Sequence, residues 1–336
     1  MSVLKNFATG IGRVLKSPAL ILWVYSAGVL LALPLAHYLR GVLHGSFGAS
    51  LVNENMRAGF DLSWYGEFSA GITGLGATFG PWVTGILPVL SNLQMLLDGQ
   101  ALRNSGSILL AGGTLLLLWT FFAGGILDRY ANPDAPRARA RFFFHCGEYF
   151  FPFLRLLVIS LALYWAVFRW VANPLHGWVE RATRDVTAER TVLLCTFAVY
   201  ALTALLLALS AMVLDYARIA IVVEYRRSAL FAFLRGVRFV LGNPLITSGL
   251  FLLLVLVGFV LLMGYAAVAP GPGQTTWGAV LAAFLVGQAF ILARIVLKLW
   301  FLAAQTALFQ AAQPVTFEAP TGAASSGSAQ PERSPV

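Results

Sequence analysis

Long apolar runs separated by short, arginine-bearing polar segments dominate this chain. Six of them, at 19–39, 108–127, 153–170, 192–214, 245–269 and 278–299, predict helices long enough for a bilayer core about 30 Å thick. The first run follows Lys5, Arg13 and Lys16, as a signal peptide would, but it ends in Leu33-Pro34-Leu35-Ala36-His37. Pro34 spoils the small-residue cleavage pattern, so the run reads as an uncleaved anchor. A further apolar stretch at 82–97 is shorter, contains Pro88 and carries Asn92 and Gln94. It predicts an interfacial or re-entrant helix within a small helical outer cap at 45–106. The tail from Pro314 onward, 314–336, has the composition of a disordered segment.

The fold class is therefore all-α, a bundle of six transmembrane helices. Composition excludes the soluble alternatives. Of 336 residues 59% are hydrophobic and only 11% charged, and the mean hydropathy is +0.78. A water-soluble globule carries roughly 25% charged residues, so this chain lacks the polar covering a soluble enzyme needs. Cys146 and Cys195 fall near opposite ends of the predicted bundle and are expected to be free thiols.

Charge sets the topology. The net +9 comes from 23 Lys+Arg against 14 Asp+Glu. One set of connections holds Arg129, Arg137, Arg139 and Arg141, then Arg218, Arg226, Arg227, Arg235 and Arg238. On the other side, the stretch from Gly45 to Gly106 holds only Arg57 and Arg103, and Arg181, Arg184 and Arg190 face that side too, interleaved with Glu180, Asp185 and Glu189. The positive-inside rule puts both termini in the cytoplasm. Partners implied by this pattern are anionic lipid headgroups and proteins in the membrane, rather than nucleic acid.

The approaches to the odd-numbered spans read alike. Phe7-x-x-Gly10-x-x-x-Val14-Leu15-x-x-Pro18 precedes the first, and Phe233-x-x-Gly236-x-x-x-Val240-Leu241-x-x-Pro244 the fifth. Phe144-x-x-Gly147-x-x-x-Phe151 precedes the third, and the second and fourth spans close with Leu127-Asp128 and Leu214-Asp215. The pattern predicts three repeated units, each an interfacial amphipathic helix followed by a transmembrane hairpin. In these Phe, Gly and Pro positions the chain resembles the membrane domain attached to some bacterial glycerophosphodiester phosphodiesterases. The resemblance implies a membrane-embedded module; it transfers no catalytic residue, and the long outer segment departs from it.

Chemistry is sparse. The chain has no His-Glu-x-x-His site and no Gly-x-Ser-x-Gly-like nucleophile setting, so it is read as a non-enzyme with no cofactor and no metal. Asp128 and Asp215 end two helices, where the macrodipole disfavours negative charge, and are expected to pair with Arg129, with Arg218 or with an approach-helix arginine. Arg294 and Lys298 lie four apart in the last helix, on a face shared with Gln305. They either snorkel or pair with the aspartates, or else face a substrate. Asp128, Asp215, Arg218, Arg294 and Lys298 thus form the candidate polar cluster. His37, Arg40 and His44 stack near the outer end of the first helix as a candidate outer patch. His145 and Glu148 share a helix face, but two ligands do not complete a metal site. Gly71–Gly80 fits no phosphate-binding fingerprint and reads as a hinge. The leading functional expectation is a scaffold or accessory subunit that contacts lipids or partner proteins. The alternative is a small-solute or lipid transporter with a polar cavity near the cytoplasmic ends of the second, fourth and sixth spans.

Overall fold

The computed structural model describes residues 2–48, 61–80, 86–99, 106–135, 139–186, 188–269 and 276–313. The expected disordered tail and much of the outer cap lie outside these residues. In order, the helices are α1 (Val3–Leu15), α2 (Pro18–Phe47), α3 (Leu62–Gly71), α4 (Leu87–Leu97), α5 (Gly106–Ala131) and α6 (Arg139–Val167). There follow α7 (Asn173–Ala182), α8 (Glu189–Val223), α9 (Ala229–Gly242), α10 (Pro244–Val268) and α11 (Trp277–Ala312). No strand occurs among the described residues. Six helices are long and apolar enough to cross a bilayer: α2, α5, α6 with its continuation, α8, α10 and α11. The chain is a multi-pass integral membrane protein built as an all-α bundle.

The helices overrun the apolar spans at one end. α8 continues to Val223 and α11 to Ala312; at 1.5 Å per residue the 36-residue α11 is about 54 Å long. The tightest packing gathers on these extensions. In α8 the burial is nearly continuous from Met212 to Val222, and in α11 from Leu302 to Phe309. Farther along, Leu110, Leu193 and Leu281 are exposed, which suits side chains that meet hydrocarbon. We call the densely packed end the basic end, because Arg129, Arg141, Arg226 and Arg235 all lie there. The described N- and C-terminal helices share it: Trp300 Nε1 donates to the Phe7 carbonyl at 2.9 Å.

The short helices α1 and α9 make the collar at this end. α1 buries Asn6, Gly10 and Val14, one residue per turn along a single stripe, and packs on α11 and α10. α9 buries Ala232, Gly236 and Val240 with the same spacing and packs on α8. The joints that follow are alike. Ser17 has φ −132° and ψ 56°, Asn243 has φ −136° and ψ 52°, and Pro18 or Pro244 then opens the next helix, where no amide donor is lost.

The middle approach departs from the expected pattern. It is not a separate helix: α6 runs unbroken from Arg139 through Pro152 into the span. Burial of Cys146, Tyr149 and Phe153 on one stripe holds the chain helical across the proline. Gly147 has nothing within 4 Å of the place its Cβ would occupy, so it makes no close crossing. The close approach falls on Cys146 instead, which meets Gly124 and Gly125 of α5. The small residues come from the other helix.

At the opposite end, α3 is capped by Asp61, whose carboxylate accepts from the Ser63 and Trp64 amides. Trp64 stacks between Phe47 and Phe68, at 4.7 and 5.0 Å, and Phe79 closes the group edge-on. The glycine-rich stretch read as a hinge contains a 3-10 turn, Gly74–Thr78, with Gly74 at φ 68°. α4 has only 11 residues, too few to cross, and Pro88 sits in its first turn rather than its middle. Between α6 and α7 the helix widens into a π-helical segment, Phe168–Ala172. Pro174 follows directly and has no N–H to return to the Trp170 carbonyl, which a wider turn accommodates.

Candidate functional site

The candidate polar cluster divides into two groups. The first is centred on Asp128 in the last turns of α5. It is 4% exposed and accepts from Arg141 Nε at 3.2 Å, from the Arg141 Nη2 at 3.4 Å and from Asn132 Nδ2 at 2.8 Å. His145 Nε2 stands 3.5 Å from the same carboxylate, and its Nδ1 is 2.8 Å from Glu148. The imidazole therefore bridges two carboxylates. This follows from the α5–α6 crossing: with Cys146 seated on Gly124 and Gly125, Arg141 and His145, one turn apart, face the end of α5. Arg129, one of the expected partners, donates to the Ala135 carbonyl at 2.8 Å and to Ser17 Oγ at 3.5 Å.

The second group is centred on Asp215. Arg218 Nη1 lies 2.9 Å from its carboxylate, one turn along α8. Gln305 of α11, 1% exposed, turns its amide toward Asp215 without completing a well-aligned hydrogen bond. Lys298 and Arg294 make no salt bridge among the described residues. The Lys298 ammonium lies 3.4 Å from the centroid of the Trp119 ring, a cation–π contact with α5. Arg294 stands over Phe290 at 5.7 Å. The charges of Asp215, Arg218 and Arg294 nevertheless lie near enough to Lys298 to act on it.

Three side-chain bridges fasten α1, the start of α6 and α9 to the ends of neighbouring long helices. Arg141 on α6 reaches Asp128 on α5, and Arg235 on α9 reaches Glu224, the residue capping α8, at 2.8 Å. On α1, Arg13 Nη2 donates to Gln310 of α11 at 3.0 Å, while Gln310 Nε2 donates to the Ala131 carbonyl of α5 at 2.8 Å. Burial raises the Glu224 pKa, but the hydrogen bonds and charges of Arg235 and Arg226 outweigh it and hold the group below its ordinary value. Burial pulls Arg13 below the usual arginine value. Glu224 and Gln310 escaped the sequence reading, and Arg13 and Arg235 entered it only as topology-setting charges. A visible signal existed: an acid at the end of one helix, then an arginine 13 or 11 residues on, in the next amphipathic segment.

The candidate outer patch is exposed throughout. Arg40 and His44, with Leu43 and Phe47, line a recess of about 480 Å³, and His37 is not part of its lining. A separate polar contact assembles from residues far apart in sequence. Tyr200 Oη donates to Asp98 at 2.8 Å, and the His176 ring meets Tyr200 edge-on at 4.8 Å. Cys146 is buried, Cys195 is half-buried, and both are free.

Among the described residues no group of three or more His, Cys, Asp or Glu is placed to hold a metal ion. No protein family, curated protein or solved structure matches this chain.

Proposed function

We propose that this protein is a non-enzymatic membrane scaffold made of three repeated units. Each unit would lay an amphipathic segment along the cytoplasmic leaflet of a bacterial inner membrane and contact anionic lipids or partner proteins there. One observation carries this reading: the carboxylates Asp128 and Glu224 at the basic end are each engaged by an arginine of the segment that follows, which fastens one helix to the next. Asp128 is held by Arg141 and Asn132, Asp215 by Arg218, and Glu224 by Arg235. Lys298 rests on Trp119. A transporter needs such groups to face a common path, and a collar needs them to lock helix to helix. The resemblance to a membrane module without catalytic residues supports the same reading.

Reconstitution tests it directly. Vesicles carrying the purified chain, loaded with small anionic or cationic dyes, are expected to leak no faster than protein-free vesicles. Flux that is present in the wild type and abolished by Arg294→Ala or Lys298→Ala would replace the scaffold with a transporter.

Orientation has its own test. In a background with Cys146→Ala and Cys195→Ala, a cysteine at the exposed Ser91 of α4 is expected to react with an impermeant maleimide on intact cells. A cysteine at the exposed Thr9 of α1 is expected to react only once the membrane is opened. The reverse pattern would invert the topology.

A further inference from the structure

A recess of about 320 Å³ opens where the α1–α2 joint meets the last turns of α5 and the first turns of α6. Four cations line it, Lys16, Arg129, Arg139 and Arg141, against a single carboxylate, Asp128. That carboxylate is already engaged by Arg141 and Asn132. Lys16 and Arg139 enter no salt bridge among the described residues, and Arg129 is steadied on the Ala135 carbonyl. Among the described residues, Lys16 and Arg139 by themselves give the recess a positive surplus that Asp128, engaged by Arg141, does not balance. Its other wall is apolar, made by Leu20 and Trp23 of α2 and by Phe142 of α6.

Two helices independently fix the level of this recess. The apolar run of α2 begins at Ala19, directly after Lys16, Ser17 and Pro18. The apolar run of α5 ends at Leu127, directly before Asp128 and Arg129. The cations thus lie at the border between hydrocarbon and headgroups, and the Trp23 wall lies on the hydrocarbon side. An anion that matches both walls has a phosphate at one end and an acyl chain at the other. We propose that the recess binds one anionic phospholipid, its phosphate held by Lys16, Arg129, Arg139 and Arg141 and the start of a chain against Trp23. Guanidinium forks suit a phosphodiester through paired, charge-assisted hydrogen bonds. This deepens the lipid-contact part of the scaffold reading and rests on it only for the leaflet concerned.

The test uses the full chain purified in mild detergent, with lipid retention read by native mass spectrometry. Phosphatidylglycerol is expected to bind about tenfold more tightly than phosphatidylcholine, and Lys16→Gln or Arg139→Gln to erase most of that preference. Lys5→Gln removes the same charge from α1 outside the recess and is expected to leave it unchanged. Equal retention of the two lipids, or equal effects of Lys5→Gln and Lys16→Gln, would overturn the site. Millimolar inorganic phosphate is expected not to displace the lipid; displacement would assign the recess to a soluble phosphate instead. Brominated-chain phosphatidylglycerol gives a reading that does not depend on the charge variants folding. It is expected to quench tryptophan fluorescence, with part of the quenching missing in Trp23→Phe; undiminished quenching in that variant also overturns the proposal. Dye flux through the protein would defeat the scaffold and leave this site standing, whereas loss of lipid preference alone would leave the flux result untouched.

Discussion

Gly10→Leu and Gly236→Leu are expected to unseat the collar at the basic end, while Gly147→Leu leaves it folded. A Cβ at Gly10 would lie 2.7 Å from the Ala304 Cβ and 2.9 Å from its Cα and amide nitrogen. At Gly236 it would lie 2.6 Å from the Val213 carbonyl oxygen and 3.0 Å from the Ala217 nitrogen. These neighbours are largely backbone, so no rotamer change relieves the overlap and the helices must part. Overpacking in a deformable core costs about 1–3 kcal/mol, and a collision with a rigid helix belongs at or above the top of that range. Replacing a helical glycine gains back roughly 1 kcal/mol of propensity, which is too little to offset it. At Gly147 that gain stands alone, because its Cβ would meet nothing within 4 Å. Thermal unfolding in detergent checks all three: a marked drop at 10 and 236, and no drop at 147. Similar losses at all three positions would mean that the glycine pattern in the sequence, and not the observed crossing, governs the middle segment.

That contrast shows where the sequence is informative. The six spans are legible because a bilayer demands an uninterrupted apolar run of a fixed length, and chain order alone delivers it. The extensions of α8 and α11 at the basic end are less so. Ala220, Ile221 and Val222, like Ala303, Ala304 and Phe309, are apolar because they meet protein, and hydrophobicity cannot distinguish a protein neighbour from a lipid one. The middle approach misled for a related reason. A close crossing needs a small residue on either helix; here α5 supplies Gly124 and Gly125, and Gly147 is left without a role in the crossing.

The candidate site was legible to the same extent. Asp128 and Asp215 occupy matching places in sequence, yet Asp128 draws Arg141 from the next amphipathic segment while Asp215 finds Arg218 on its own helix. Which partner an aspartate meets depends on the rotation of each helix about its axis, and that is set by tertiary packing. The contact between Tyr200 and Asp98 joins positions 102 residues apart. No local spacing encodes it.

Asp128→Ala is the second change expected to have a large effect, and its two consequences have opposite signs. Removing one partner of a buried ion pair costs about 3–5 kcal/mol when the stranded charge has no access to water. The Arg141 side chain is 36% exposed, so the released guanidinium can reach solvent and the cost falls to about 2 kcal/mol. Asn132 also loses its acceptor and His145 one of its two carboxylates. The variant should therefore unfold at a lower temperature than wild type. A Asp128→Asn and Arg141→Gln double-mutant cycle should return a coupling of about 1–2 kcal/mol. The same substitution removes the one carboxylate that lines the recess among the described residues and frees Arg141 from its pairing there. Phosphatidylglycerol should then be held more tightly by Asp128→Ala than by wild type, although the protein is less stable. A purely structural aspartate would weaken lipid retention together with the fold, so the opposed signs separate fastening helices from binding a headgroup.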